Sequence, residues 1–415
     1  MFKNRILSYE NSLLVLMSVA NGFIALDRAA INFLSPFIIK EFDLSNTELG
    51  LLSTAFSTTA AISGIVLCSL ADRSGKRKHL FLTAFALFSL LSVVTGLASS
   101  FGLLIVARTV MGMTSGPLAP TAQSILYLES SEHRRGFNMG FLQNVGVYLI
   151  GMMLGPIICT QIGSALGWRP TFFLSGIPAG FVFILLLFLV RNPKPPEAAT
   201  ETSRTVDTRR FLLRLRELLS SRNLLLCLLI SSMCSSWLLV QFTFMPRYLT
   251  DIDGLSPANA GLLMSLIGIS GAVGGVLVSA LSDRLGRRPL LAIAAFGGVV
   301  APLVLLLVRD QIAVLGIGIF IGWLAGSAGP LYLAIIPTES VSPQLGATAV
   351  AITLGVGEVV GGIIAPAVAG IAADIYGLGA PFIMAIIFAV LSGFLALFLQ
   401  ETAPALRQPG MARAA

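Results

Sequence analysis

The first apolar stretch of the chain, ANGFIALDRAAINFLSPFIIKEF (20–42), carries an acid and a base side by side at its middle, Asp27 and Arg28. At the centre of a membrane helix each charge costs about 2.5–3.5 kcal/mol on insertion scales, so such a pair is read first as functional. A guanidinium is a planar fork that can grip a carboxylate at two points. The alternative is a local ion pair that locks the first helix to a neighbour. A second base, Arg108, lies in a later apolar run, and one further acid, Glu358, lies deep in the C-terminal part of the chain. Gly355, Gly357, Gly361 and Gly362 surround Glu358 and permit close helix approach. Gln143, Asn144 and Tyr148 are spaced to share a face and can bond hydroxyl or carboxylate oxygens. Trp237 and Gln241, at i and i+4, and Tyr332 are further candidates for lining a cavity.

The elements that must hold these groups are membrane helices. The chain is 55% hydrophobic and 11% charged, with a mean hydropathy of +0.88; a soluble chain carries about a quarter charged residues. Twelve apolar runs, near 11–35, 48–70, 80–99, 102–127, 137–163, 171–190, 223–246, 257–281, 289–308, 311–336, 346–373 and 380–400, are long enough to cross the hydrocarbon as helices. They lack the alternation of β-barrel strands. The first run has no cleavage site after it and is expected to be retained as a helix. Cys68, Cys159, Cys227 and Cys234 lie in apolar runs without metal-type spacing and are expected to behave as small hydrophobes.

Two stretches repeat at an offset of 211 residues: DLSNTELGLLSTAFSTTAAISGIVLCSLADRSGKRK (43–78) and GLSPANAGLLMSLIGISGAVGGVLVSALSDRLGRRP (254–289). Each is a helix-length apolar run ending in a charged turn, D-R-x-G-[KR]-R. The chain is therefore two copies of one membrane unit, an arrangement that places a substrate site between repeats. The expected division is a six-helix bundle over 1–191, a linker over 192–222, a second bundle over 223–400 and a tail over 401–415. Within the linker, Phe211, Leu212, Leu215, Leu218 and Leu219 share a face opposite Arg210, Arg214 and Glu217. That pattern predicts either a helix lying on the membrane surface or a solvated helical linker.

All but six of the 27 Lys and Arg fall in the N-terminus, alternate loops, the linker and the C-terminus. The exceptions are Lys40, Arg169, Arg247 and Arg309 in the opposite loops, and Arg28 and Arg108 inside spans. The positive-inside rule then places both termini in the cytoplasm of a cell whose inner (plasma) membrane the chain crosses. It also explains the net charge of +7 without nucleic acid as a partner.

The paired charged turns, SLADRSGKRK (69–78) and ALSDRLGRRP (280–289), resemble the signature of the major facilitator superfamily, and the resemblance extends to RRG (134–136) and GWRPTF (167–172). It implies an all-α membrane fold of two pseudo-symmetric six-helix bundles rocking around a central cavity. Asp72, Arg73, Gly75 and Arg77, with Asp283, Arg284 and Gly286 in the second copy, would then form a gate at the cytoplasmic side. The first span, L-D-R-x-x-I-x-x-x-x-P, resembles the anion:cation symporter family. That resemblance implies Arg28 as ligand of the substrate carboxylate and Asp27 as a proton site. RTVMGMTSGPLAP (108–120) matches the same family at Arg108, Gly112, Pro117 and Pro120, but Ser115 stands where the family has a glutamate. Ile24-Ala25 likewise replace its usual Asn-Tyr. With the glutamate missing, Glu358 becomes the candidate second proton site, or a partner for Arg28 or Arg108 when no substrate is bound. GMMLGP (151–156) partly resembles a motif of drug:proton antiporters.

No nucleophile–base pair, phosphate loop or metal constellation is present, so neither an enzyme nor a cofactor is expected. The expected function is transport of a small organic anion, a carboxylate or sugar acid, coupled to protons, by a functional monomer. An efflux antiporter of drugs or metabolites is the alternative, although two intramembrane arginines suit cationic drugs poorly. A ligand-sensing relative of transporters is a further one.

Overall fold

The structure is a computed structural model that describes residues 9–131, 134–191, 218, 220–309, 311–342 and 345–403, the side chains of Asp72, Arg73 and Ala347 excepted. The surface helix expected in the linker lies outside the described residues. Among those residues the chain folds into twelve helices long and apolar enough to cross a membrane. In the first half these are α1 (Tyr9–Phe33), α2 (Asn46–Ala71), α3 (Arg77–Gly96), α4 (Phe101–Glu129), α5 (Arg135–Leu166) and α6 (Trp168–Leu189). In the second half they are α7 (Arg222–Asp251), α8 (Pro257–Leu285), α9 (Arg287–Leu307), α10 (Ile312–Glu339), α11 (Thr348–Tyr376) and α12 (Ala380–Leu397). Every span expected from the sequence is present, within a few residues at each end. Apolar side chains such as Ile65, Ile177 and Ile293 stay exposed within the spans, where hydrocarbon replaces water as their surroundings.

The spans are not uniform α-helices. Three contain a π-helical segment: Leu142–Leu154 in α5, Leu331–Ile335 in α10 and Glu358–Ile364 in α11. Each segment is followed at once by an α-helix with proline in its first turn, Pro156, Pro337 and Pro366. Proline has no N–H to give and its ring collides with the carbonyl one turn back, so the hydrogen-bond ladder must reset there. A wider turn just before the proline is one way to do so, and such segments concentrate at functional positions. At the charged turns, Gly75 and Gly286 take φ of +66° and +101°, which a residue with a Cβ resists. The invariance of glycine between the two copies of the motif thus has a backbone cause.

The residues gather into two compact units. The first draws its described residues from 1–44, 55–204 and 249–268, the second from 45–54, 205–248 and 269–415. Relative to the halves expected from the repeat, the first turns of α2 are grouped with the second unit and the end of α7 with the start of α8 are grouped with the first. In unit 1 the core runs through Leu13, Met17, Phe81, Phe85, Phe88, Met111, Ile125 and Leu186. Glu10 ties the start of α1 to the α4–α5 connection, accepting from Asn138 Nδ2 at 2.8 Å and from Ser131. In unit 2 the segment after α12 does the corresponding work. Asn223 exchanges hydrogen bonds with the main chain of Gln400, and Glu401 accepts from the N–H groups of Arg287 and Arg288 at the start of α9.

Candidate substrate and coupling site

Neighbouring residues on a helix point about 100° apart, so Asp27 and Arg28 cannot both enter the interior of one bundle. The structure sends Asp27 inward and leaves Arg28 exposed. Asp27 is 2% exposed. Its Oδ1 lies 2.9 Å from Ser92 Oγ on α3 and 3.2 Å from Ser175 Oγ on α6, both hydroxyls that can donate to it. Arg108, 1% exposed, reaches from α4 and donates from Nη1 to the main-chain carbonyl of Asp27 at 3.3 Å. Its guanidinium carbon stands 5.4 Å from the centre of the Phe172 ring. Asp27 Oδ2 and Arg108 Nε and Nη2 make no hydrogen bond. Unit 1 therefore holds a buried centre of opposite charges, built from α1, α3, α4 and α6. Such a pair costs desolvation and pins geometry, and loss of one member leaves the other uncompensated.

Arg28 has a different setting. It is exposed and its guanidinium lies 5.4 Å from the Phe56 ring of α2. It is the one Lys or Arg in α1. On α5, Gln143 is exposed, Asn144 and Tyr148 are half-buried, and all three fall in the π-helical segment. There i→i+5 bonding brings residues five apart nearly over one another, so Gln143 and Tyr148 share a face more closely than in an α-helix. Gln143 Oε1 lies 3.4 Å from Asn21 Nδ2 of α1, and Asn144 donates to the carbonyl of Gly140. Gly22, Gly146 and Gly151 let α1 and α5 approach this closely, since a Cβ at any of them would collide with the facing helix.

In unit 2 the three expected cavity residues are packed inside. Trp237 (4% exposed) donates from Nε1 to the carbonyl of Gly298 at 2.9 Å and packs against Trp323, with ring centres 4.9 Å apart and planes tilted by 46°. Gln241 is fully buried and donates to the carbonyl of Trp237, and Tyr332 is 5% exposed. Glu358 is half-buried at the first residue of the α11 π-segment, while Gly357 and Gly361 beside it face Ser231 and Ser235 of α7.

Of the gate residues, the side chains of Asp72 and Arg73 lie outside the described set. Asp283 pairs with Arg287 at 2.5 Å, Arg287 pairs with Glu339 at the end of α10 at 3.1 Å, and Thr402 donates to Glu339. Arg284 is exposed. The sequence pointed to Asp283 but not to Arg287, Glu339 or Glu401. The second arginine of D-R-x-G-R-R was visible, whereas its acidic partners lie in other helices and carry no motif. Ser92 and Ser175 were missed for the same reason. Among the described residues no group of His, Cys, Asp and Glu is arranged to hold a metal ion.

Comparison with known proteins places this architecture. The family model described as Major Facilitator Superfamily matches residues 17–357. The probable sulfoacetate transporter of Cupriavidus necator is 28% identical over 275 residues, 64% of this chain and 63% of that protein. The hexuronate transporter of Bacillus subtilis is 28% identical over 63% of this chain and 62% of that protein. The match thus spans somewhat less than two thirds of the length of these two relatives. Among solved structures, a bacterial homologue of the human lysosomal transporter Spinster superposes with a TM-score of 0.76 at 19% identity, over 94% of this chain and 97% of that one. A D-xylose–proton symporter superposes with a TM-score of 0.75 at 18% identity, over 95% and 99%. At these identities the structural likeness concerns the fold. The sequence relatives are transporters rather than enzymes.

Proposed function

The chain belongs to the major facilitator superfamily, and from that premise we propose that it carries a small organic anion across the cell's inner membrane, by alternating access coupled to protons. The observation that carries this reading is the division of labour on α1. Asp27 is buried inside unit 1, while Arg28 is exposed on the same span with its guanidinium beside Phe56. A strongly basic group held there at an insertion cost of about 2.5–3.5 kcal/mol suits recognition of a carboxylate or sulfonate. The named substrates of the two relatives, hexuronate and sulfoacetate, are organic anions. Gln143, Asn144 and Tyr148 would take the hydroxyl and carboxylate oxygens of such a substrate. Arg108 would act through Asp27, setting the position of α1 and hence of Arg28. Trp237, Gln241 and Tyr332 would fix the packing of unit 2.

Glu358 is the proposed coupling acid in unit 2, with Asp27 the second titratable group at depth in unit 1. Both termini would face the cytoplasm, with the D-R-x-G turns at that side and the protein working as a monomer.

The test is counterflow in proteoliposomes with hexuronates, other sugar acids and small sulfonates. Arg28→Ala should abolish exchange in a protein that still folds, and Arg28→Lys should weaken it about tenfold or more, because the fork is lost. Normal exchange by Arg28→Ala would remove Arg28 from the site. Glu358→Gln should keep counterflow but lose accumulation driven by an imposed pH gradient. If accumulation persists, Asp27 becomes the coupling acid. Reporter fusions at both ends check the orientation.

A further inference from the structure

The far ends of α2 and α11, opposite the charged turns, meet in a contact that no motif announces. The first N–H groups of a helix have no partner within it. In α2, Ser45 and Glu48 form a reciprocal cap: Ser45 Oγ accepts from the N–H of Glu48, and Glu48 Oε2 accepts from the N–H of Ser45 at 2.8 Å. That leaves the N–H groups of Asn46 and Thr47. Both are taken by one carboxylate from α11: Asp374 Oδ1 accepts from Asn46 N at 2.9 Å, and Oδ2 accepts from Thr47 N at 2.9 Å. Thr47 Oγ1 also donates to Oδ2 at 2.5 Å. Arg247 at the end of α7 donates to Asn46 Oδ1 at 2.6 Å. Beneath this cap the backbones touch. A Cβ at Gly50 would collide with the carbonyl of Pro366, one at Gly370 with the carbonyl of Asn46, and Thr54 donates to the carbonyl of Ile363 at 2.8 Å.

The repeat supplies its own control. At the corresponding start of α8 stand Pro257 and Ala258, where α2 has Asn46 and Thr47. Pro257 has no N–H to offer. When the positive-φ glycines Gly167 and Gly377 are aligned, Ser164 occupies the place of Asp374. The α5–α8 contact is instead one of shape: a Cβ at Gly261 would strike Thr160, and one at Gly268 would strike Met153. Among the described residues, the carboxylate cap on the first N–H groups of a repeat helix is thus seen at the start of α2 and has no counterpart at Pro257 of α8.

We propose that Asp374 is a reversible latch, which holds the far ends of α2 and α11 together in one state of the transport cycle and releases them in the other. This rests on the alternating-access reading, in which the far end must open. A carboxylate on a helix N-terminus is favoured by the aligned peptide dipoles. When it leaves, water can satisfy the same two N–H groups and the same oxygens, so the contact can be broken and remade. A glycine contact offers no such exchange.

The test measures distance directly and uses no substrate. In a background with the four cysteines replaced, spin labels at Leu51→Cys and Tyr376→Cys report the α2–α11 separation by pulsed electron resonance. Asp374→Ala should raise the long-distance fraction several-fold. Thr47→Val, which loses only the hydroxyl bond, should raise it less, and Asp374→Asn should fall between. Ser256→Ala, at the twin corner, should leave it unchanged. If Asp374→Ala folds and shows the wild-type distribution, there is no latch. If it misfolds, an unchanged distribution in both Thr47→Val and Asp374→Asn overturns the proposal equally. A shifted distribution in a protein that exchanges no organic anion would retain the latch and discard the substrate class.

Discussion

Unit 1 and unit 2 solve one architectural problem with different chemistry. Both must fix the crossing of their first, third and fourth helices. Unit 1 does so with charge: Asp27 of α1, Ser92 of α3 and Arg108 of α4, closed by Ser175 of α6. Unit 2 does so with aromatic bulk: Trp237 of α7 lies against Trp323 of α10, bonds to Gly298 of α9, and rests on Gly326. Ile319 of α10, at the repeat's offset from Arg108, is fully buried and apolar. The difference teaches that the repeat preserves helix order and turn geometry, while the interior chemistry of each copy is free to diverge. A charged centre fixes one geometry because each misplacement leaves a buried charge unpaired. An aromatic centre fixes it by volume.

The contrast can be broken most severely at Arg108. Arg108→Met should destabilise the protein by about 3–5 kcal/mol, because Asp27 is left buried without its counter-charge. Asp27→Leu combined with Arg108→Met would give unit 1 an apolar centre like that of unit 2. It should recover most of the loss, as read by thermal unfolding in detergent through a double-mutant cycle. If the double variant is no more stable than Arg108→Met, the two residues are not coupled.

Next in size is the aromatic centre. Gly326→Val puts a branched side chain where the Trp237 ring lies. It should cost about 1–3 kcal/mol as overpacking, with a changed tryptophan emission spectrum. A smaller effect belongs to Ser92→Ala, which removes one of two donors to Asp27 Oδ1. The loss should be about 1 kcal/mol, since Ser175 still donates.

The smallest effect separates the units by pH. At the far end of unit 1, Glu41 accepts from Trp168 Nε1 at 2.6 Å and pairs with Arg169, which also reaches the carbonyl of Ala98. Unit 2 has Leu378 and Gly379 in the places of Trp168 and Arg169 when Gly167 and Gly377 are aligned. Burial raises the Glu41 carboxyl, but the bonds from Trp168 and Arg169 outweigh it and hold the group below the usual glutamate range. A carboxyl lowered on folding stabilises above its unfolded value and loses that contribution as pH falls through its folded value. Acidification through and below the ordinary carboxylate range should therefore lower the melting temperature of the wild type slightly more than that of Glu41→Gln. Parallel acid profiles would show that the brace contributes nothing; its partial exposure keeps the expected difference small.

The number and order of the spans, the repeat and its glycine turns could be read from composition and local spacing. Hydrocarbon length, the cost of unpaired backbone and the φ of Gly75 and Gly286 are properties of short segments. The sequence also placed Asp27, Arg28, Arg108 and Glu358 at depth, because a charge inside an apolar run is visible without a fold. Which of two adjacent charges faces the bundle was not visible. Helix rotation is settled by what packs alongside, and only tertiary structure puts Ser92 and Ser175 beside Asp27 and leaves Arg28 exposed. Asp374 reads in sequence as an ordinary acid at a helix end. Its partners, the N–H groups of Asn46 and Thr47, are backbone atoms more than 300 residues away. Backbone donors carry no sequence signal, so only the folded chain could bring that carboxylate onto them.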